Sequence, residues 1–268
     1  MPRRRLALAL LLAVAPAGAD TIVKAYNSYR GPPYVDGKGG LASELVRYVN
    51  LKLEGRYTLQ LVSLQRRQLN QLMEASAGFD GVALFLSPAF IGDVPRKRFH
   101  WSPPFLDDSN AIVSRIDNPV RYEGPASLVG LRFAGIYGNR YPGIDEYVGK
   151  SLVRTNAPDA MSNLRKLVAG QADFTVMPRS SFRYLRRQMD REKLPVGQLQ
   201  VGDKPFSQFG RHFVLAHDAG KLAAELDKIA AAMPCDRAWR SIALHYQFTV
   251  PDAAACRRNA TPRETARP

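Results

Sequence analysis

Short β-rich runs alternate with helical stretches along most of the chain. Residues 21–27 (TIVKAYN) read as a strand, which 30–34 (RGPPY) brings to an end. Over 40–53 the apolar side chains Leu41, Leu45, Val46, Val49 and Leu53 recur at helical spacing, so this stretch predicts a helix. A strand over 57–64, a helix over 65–75 and a buried-type strand over 79–86 (FDGVALFL) follow. The segment 87–108 reads as irregular, and its second half is dense in Pro95, Phe99, Trp101, Pro103, Pro104 and Phe105. A strand resumes at 110–114.

A similar alternation then restarts. The run 131–137 is strand-like, 138–143 (GNRYPG) reads as a loop opening into a helix, and 151–155 as a short strand. The helix over 159–169 has Asp159 as its cap and Gly170 as its stop. A strand over 173–177, a basic helix over 180–189, a strand over 211–216 and two closing helices over 221–233 and 236–247 complete the pattern. Strands alternating with helices of about a dozen residues predict α/β lobes with largely parallel sheets. Two such runs, with helices left over at the end, predict two lobes whose backbones cross more than once.

The N-terminus changes the expected compartment. Arg3, Arg4 and Arg5 precede residues 6–15, which are Leu, Ala and Val alone, and Ala17-Gly18-Ala19 follows Pro16. A basic head, a short apolar middle and an A-x-A-like site predict a cleaved signal peptide over 1–19, far short of the roughly 20 residues a bilayer core demands. Export to the periplasm is the expectation. Cys235 and Cys256 are then expected to form a disulfide, worth about 3 kcal/mol on loop entropy. With only two cysteines in 268 residues, a cysteine-rich scaffold and a four-thiolate metal site are excluded. No cofactor and no metal are expected. The tail over 257–268 has no apolar pattern and is expected to be disordered.

Several local patterns stand in a telling order. Pro32-Pro33-Tyr34 follows the first strand, and a glycine opens the first helix (Gly40-Leu41-Ala42-Ser43-Glu44-Leu45-Val46). Asp80 precedes the strand GVALFLS, and an Arg-rich segment leads to Phe99-His100-Trp101-Ser102-Pro103-Pro104-Phe105. LVGLRFAGIYG spans 128–138, and Leu167, Gly170 and Asp173 mark a helix–strand step. From about residue 21 to 248 the chain resembles the extracytoplasmic solute-binding proteins of polar amino-acid ABC importers, solute-binding family 3. The 99–105 segment is similar to that family's F-S-x-P-Y signature, and 128–138 to its entry into the second lobe. The resemblance implies a two-lobed, type II periplasmic binding protein-like fold with mixed, mainly parallel sheets. The hinge would be two crossovers, near 108–113 and 206–213, closing on a small solute. Lobe 1 would comprise 20–110 plus 214–256, and lobe 2 would comprise 111–213.

Candidate ligand contacts follow from position. Tyr26 and Tyr29 lie at the C-terminal end of the first strand, where open α/β sheets place ligands. Ser87 ends GVALFLS, where family members contact ligand through hydroxyls and amides. Asn139, Arg140 and Tyr141 lie in a loop whose free N–H groups and arginine suit an anion. Amino-acid binders of the resembled family place an arginine shortly before the aromatic signature. Here the segment reads GDVPRKR with Pro95 near that place, leaving Arg96, then Arg98, as candidates. The same binders place an acid after a second-lobe strand to pair with the ligand ammonium. Here DFTVM runs into Pro178-Arg179, so either the ligand is not a standard α-amino acid or another acid, such as Asp36 or Asp203, serves.

The chain carries 38 Lys+Arg against 24 Asp+Glu, a net charge of +14. Arg179, Arg183, Arg186, Arg187 and Arg191 gather on or beside one helix; in an exported protein a solvated face is the expectation, with no nucleic-acid partner. His100, His212, His217 and His245 are scattered, and His100, between Phe99 and Trp101, stands nearest the expected cleft. Three functions remain open. The first is a monomeric solute-binding protein that captures a small amino-acid-like, zwitterionic or anionic ligand for an inner-membrane ABC permease. The second is a ligand-sensing or orphan binding module. The third is an enzyme on the same frame, such as a dehydratase of small carboxylic acids.

Overall fold

The computed structural model describes residues 21–37, 39–75, 78–191, 195–252 and 254–256. The expected leader over 1–19 and the tail over 257–268 lie outside the described residues. β1 (Thr21–Asn27) leads into α1 (Leu41–Leu53), which buries Leu41, Leu45, Val49 and Leu53 along one stripe. Gly40 caps α1 with φ 119°, and a Cβ there would lie 2.4 Å from the Tyr34 carbonyl oxygen. Only glycine lets the preceding loop fold this tightly against the helix. β2 (Tyr57–Ser63) is followed by α2 (Arg66–Glu74), which starts in a reciprocal capping box between Gln65 and Gln68. β3 (Val82–Leu86) is buried at every position, as an uninterrupted apolar run demands of a strand covered on both faces.

The segment expected to be irregular holds α3 (Pro88–Ile91), β4 (His100–Trp101) and the start of β5 (Leu106–Arg115). Beyond β5 come β6 (Arg132–Ile136), β7 (Val153–Ala157), α4 (Ala160–Val168), β8 (Phe174–Pro178) and α5 (Arg179–Arg191). β9 (Leu199–Val201), β10 (Ser207–Leu215), α6 (Gly220–Ala232) and α7 (Arg237–His245) follow. The helix expected after residue 143 does not form. Pro142 and Gly143, with φ 85°, break the backbone, and a single 3-10 turn over Asp145–Tyr147 takes its place.

The strands order as β2-β1-β3-β10-β5-β8-β6-β7, with β4 also on β10 and β9 on β5. Parallel pairs (β1–β2, β1–β3, β6–β7, β6–β8) lie toward the two ends. Antiparallel pairing gathers at the centre, where β5 and β10 run side by side from Ser207↔Asn110 to Arg211↔Leu106. Beyond this ribbon the two strands part. β10 continues along β3, and β5 along β8. The chain is thus a two-lobed α/β protein whose lobes are joined by two crossing strands.

In the first lobe, α1, α6 and α7 cover one sheet face with a core that includes Leu45, Leu226 and Trp239. Tyr26, Leu69, Phe79 and Trp101 fill the other face. In the second lobe, α4 and α5 bury Leu164, Phe182 and Leu185 on one side, while Phe133, Tyr141, Ile144 and Phe174 pack on the other. Cys235 and Cys256 are joined, with Cα atoms 5.5 Å apart, which fastens the end of the described chain to the turn between α6 and α7. Among the described residues no helix is long and apolar enough to cross a membrane.

Candidate functional site

Between the lobes, above the crossing strands, lies a cleft of about 290 Å³. Its walls are strand ends and helix starts, the part of an α/β sheet where backbone groups lack partners and ligands lodge. The first lobe supplies residues 28–32 and Tyr34 after β1, Gln65 and Arg66 at the start of α2, and Phe90 of α3. The second supplies residues 136–141 after β6, Pro158, Asp159 and Ala160 at the start of α4, and the end of β8. Asn110 of β5 forms part of the floor.

The first wall is built outward from β1. The buried Asn27 side chain donates to the Tyr29 carbonyl at 2.8 Å and accepts from the Tyr29 N–H at 3.1 Å, which curls the chain into the cleft. Tyr29 stacks on Tyr34 at 4.1 Å, and Tyr34 meets Phe85 edge-on at 5.0 Å. Beneath these rings the fully buried Arg211 of β10 donates to the Tyr29 hydroxyl at 3.0 Å and to Asp108 at 3.0 Å. Its guanidinium carbon lies 5.2 Å from the Tyr34 ring centroid and 5.0 Å from that of Phe209. Burial opposes the Arg211 charge, but Tyr34, Tyr29 and Asp108 outweigh it, so its pKa is raised. Burial likewise pushes the Tyr34 phenol well above its ordinary value.

The second wall is braced from behind by Arg154. Its guanidinium donates to Asp145 at 2.6 Å and to the carbonyls of Ile136 and Asn139 at 3.2 and 3.0 Å. Asp145 also accepts the Tyr141 N–H at 2.7 Å, and the Tyr141 hydroxyl accepts from the Ile136 N–H at 3.0 Å. The expected helix is therefore replaced by a loop held at both ends. Asp159 accepts from the Ser162 N–H at 2.7 Å, the cap read from the sequence, and Asn163 ties α4 to the Ala134 and Gly135 carbonyls.

Of the residues singled out in the sequence, Tyr29, Asn139, Arg140 and Tyr141 line the cleft. Tyr26 does not, because its ring packs against Phe79 at 5.7 Å inside the first lobe. Ser87 is buried at the start of α3 and lies outside the lining. Arg96 and Arg98 sit exposed on a surface loop, Arg96 with φ 53° and Arg98 stacked 5.1 Å from the Phe99 ring. The cause is Asp93. Its carboxylate accepts from the Lys97 and Arg98 N–H groups at 3.0 and 3.2 Å and from the Trp101 indole at 2.8 Å, winding this loop away from the cleft. Burial works against the Asp93 charge, yet the Trp101 indole and the three backbone N–H groups of residues 97–99 hold its carboxyl below the usual range.

Asp36 accepts from the Tyr184 hydroxyl at 2.6 Å, and the Asp203 carbonyl accepts from Arg179 at 2.7 Å; neither carboxylate lines the cleft. His100 pairs with Asp227 of α6 at 3.0 Å and is likewise outside it. Sequence reasoning missed Ser28, Arg30, Tyr34, Arg66, Phe90 and Asp159 as lining residues. Arg66 was the most accessible of these, since it starts a helix directly after a strand. Among the described residues no group of three His, Cys, Asp or Glu side chains converges to hold a metal.

No family model and no curated protein matches the sequence. Solved structures do. An ancestral arginine-binding protein bound to arginine aligns at 14% identity over 85% of this chain and 99% of its own, with a TM-score of 0.66. An arginine 3rd transport system periplasmic binding protein from Legionella pneumophila aligns at 15% identity over 85% and 100%, with a TM-score of 0.65. An ancestral amino acid-binding protein described as a precursor of cyclohexadienyl dehydratase aligns at 14% identity over 84% and 95%, with a TM-score of 0.63. These likenesses show that the chain has the two-lobed fold of periplasmic binding proteins.

Proposed function

We propose that this two-lobed fold works as an exported solute-binding protein, capturing a small polar ligand between its lobes and presenting it to a membrane permease of the ABC type. One observation carries the reading. The cleft is lined from both lobes, with Asn110 of the crossing strand β5 in its floor, so a molecule lodged there touches both lobes and favours the arrangement in which they are close. In this reading lobe 1 (20–110 with 214–256) and lobe 2 (111–213) move as two bodies. The binding proteins among the structural neighbours support the reading, as does the signal-like N-terminus, which suits export; in this reading the protein works in the periplasm as a monomer.

The test begins with protein unfolded and refolded to strip any bound ligand, followed by thermal unfolding against amino acids, dicarboxylates, polyamines and small peptides. A ligand at 100 times its Kd adds about 2.7 kcal/mol to stability. A binder should raise the midpoint, lower the radius of gyration in solution scattering and emerge unaltered by mass spectrometry. Consumption of the ligand would transfer the cleft to an enzyme, and binding without compaction would leave a module that does not close.

A further inference from the structure

Arg66 is the first residue of α2, and its side chain is built into the cleft wall, with the residue only 9% exposed. The guanidinium lies 5.4 Å from the Tyr29 ring centroid, and Gly138 of the other lobe sits against its Cβ and Cγ. Its Nη1 is buried with no hydrogen-bond partner among the described residues. A guanidinium N–H group held out of water without an acceptor is costly, and contact with one aromatic face offsets only part of that cost. The Ser28 hydroxyl, on the same wall, is also buried and unpartnered.

The charge around Arg66 is one-sided. Arg30 and Arg140 line the same cleft. Among the described residues Asp159 is the one carboxylate that does so, and its Oδ1 accepts the Ser162 N–H at 2.7 Å at the start of α4. Pro178 occupies the end of β8 at the cleft, while Arg179 turns onto the Gly202 and Asp203 carbonyls at 2.6 and 2.7 Å. Below, the Asp108 charge is matched by Arg211.

We infer that the ligand is a small oxyanion, carboxylate- or phosphate-bearing and without an ammonium group, and that Arg66 is its principal anchor with the Ser28 hydroxyl as a second partner. The inference rests on the solute-binding reading above and names the chemistry of that site. An oxyanion gives the buried Nη1 the acceptor it lacks, in the forked geometry that guanidinium and carboxylate or phosphate share. An ammonium group would enter a cleft of three guanidiniums against one carboxylate, Asp159, whose charge already faces the N–H groups that open α4.

The test is calorimetric titration of the stripped full chain with glutarate, succinate, inorganic phosphate, L-glutamate, L-arginine and putrescine. Glutarate and L-glutamate differ by the ammonium group, so glutarate should bind at least tenfold more tightly, unless inorganic phosphate is the better oxyanion and exceeds both. Arginine and putrescine should give no heat. Arg66→Met should weaken the best oxyanion at least thirtyfold while leaving the ligand-free unfolding midpoint equal to or above that of the parent, because it removes a buried N–H group that has no acceptor. Arg66→Lys should recover part of the affinity. Tighter binding of arginine or glutamate than of every oxyanion, or unchanged affinity in both Arg66 variants, overturns the inference and leaves solute binding standing. Silence from all six probes overturns it too; with nothing co-purified by native mass spectrometry, that result also counts against solute binding.

Discussion

The Arg211 guanidinium meets the Asp108 carboxylate at 3.0 Å where β5 and β10 cross, with the two side chains 0% and 3% exposed. Ser180 of α5 donates to the same Asp108 oxygen at 2.6 Å, so the pair links both crossing strands to a helix of the second lobe. Breaking one side of a buried pair strands the other charge. Arg211→Met should therefore cost about 3–5 kcal/mol in urea unfolding. The double variant Arg211→Met with Asp108→Leu should recover most of that loss, and an additive double variant would contradict the assignment. The single variant should also weaken ligand binding, because Tyr29 loses the donor that fixes its hydroxyl.

Asp93 makes a pH-dependent contribution whose direction follows from its surroundings. Its carboxyl titrates below the unfolded value of about 3.9, so its stabilisation is fully present above that pH and disappears as pH falls through the folded value. Thermal unfolding from pH 6 to pH 2.5 should show a shallower acid limb in Asp93→Asn than in the parent. Asp93→Ala should cost about 1–3 kcal/mol, because the buried Trp101 indole N–H then has no acceptor. An acid limb identical in all three proteins would remove Asp93 from the account.

The disulfide between Cys235 and Cys256 closes a loop with a sequence separation of 21. On loop entropy its reduction should cost about 3 kcal/mol, a fall in Tm of about 6–12 °C for a chain of this size. Scanning calorimetry with and without a thiol reductant measures it. The Cys235→Ala, Cys256→Ala double variant should match the reduced parent and be insensitive to reductant. A parent whose Tm ignores the reductant would show that this bond does not constrain unfolding.

Most long elements were legible in the sequence because local pattern and tertiary need coincide in them. β1 runs from Thr21 to Asn27 as its β-rich pattern predicts, and Asp159 caps α4 through a bond to a backbone only three residues away. β4 and β9 were not legible, since two- and three-residue strands exist only through pairing with β10 and β5. The cleft was half legible. Strand-end position marked Tyr29 and Tyr26 alike, but the turn fastened by Asn27 sends Tyr29 into the cleft while Tyr26 stays in the core. The helix start at Arg66 is legible in the sequence, but the lack of an acceptor for its buried Nη1 depends on what the fold packs around it, which local pattern does not carry.

Tyr184 of α5 donates to Asp36 of the first lobe at 2.6 Å, and its ring lies 5.9 Å from that of Tyr246. This contact joins the lobes outside the crossing strands, so it stabilises the arrangement seen here against one in which they part. Tyr184→Phe keeps the ring and loses the bond, which is worth about 0.5–1.5 kcal/mol. Ligand affinity should then fall by up to about tenfold, mostly through faster release, and the ligand-free protein should show a larger radius of gyration in solution scattering. Burial, followed by the Asp36 carboxylate, pushes the Tyr184 phenol up to about 12. A raised phenol contributes fully below its unfolded value of about 10 and is lost as pH climbs through the folded one, so the contact should persist across the neutral range. Unchanged affinity and dimensions in Tyr184→Phe would show that the crossing strands alone set how far the lobes open.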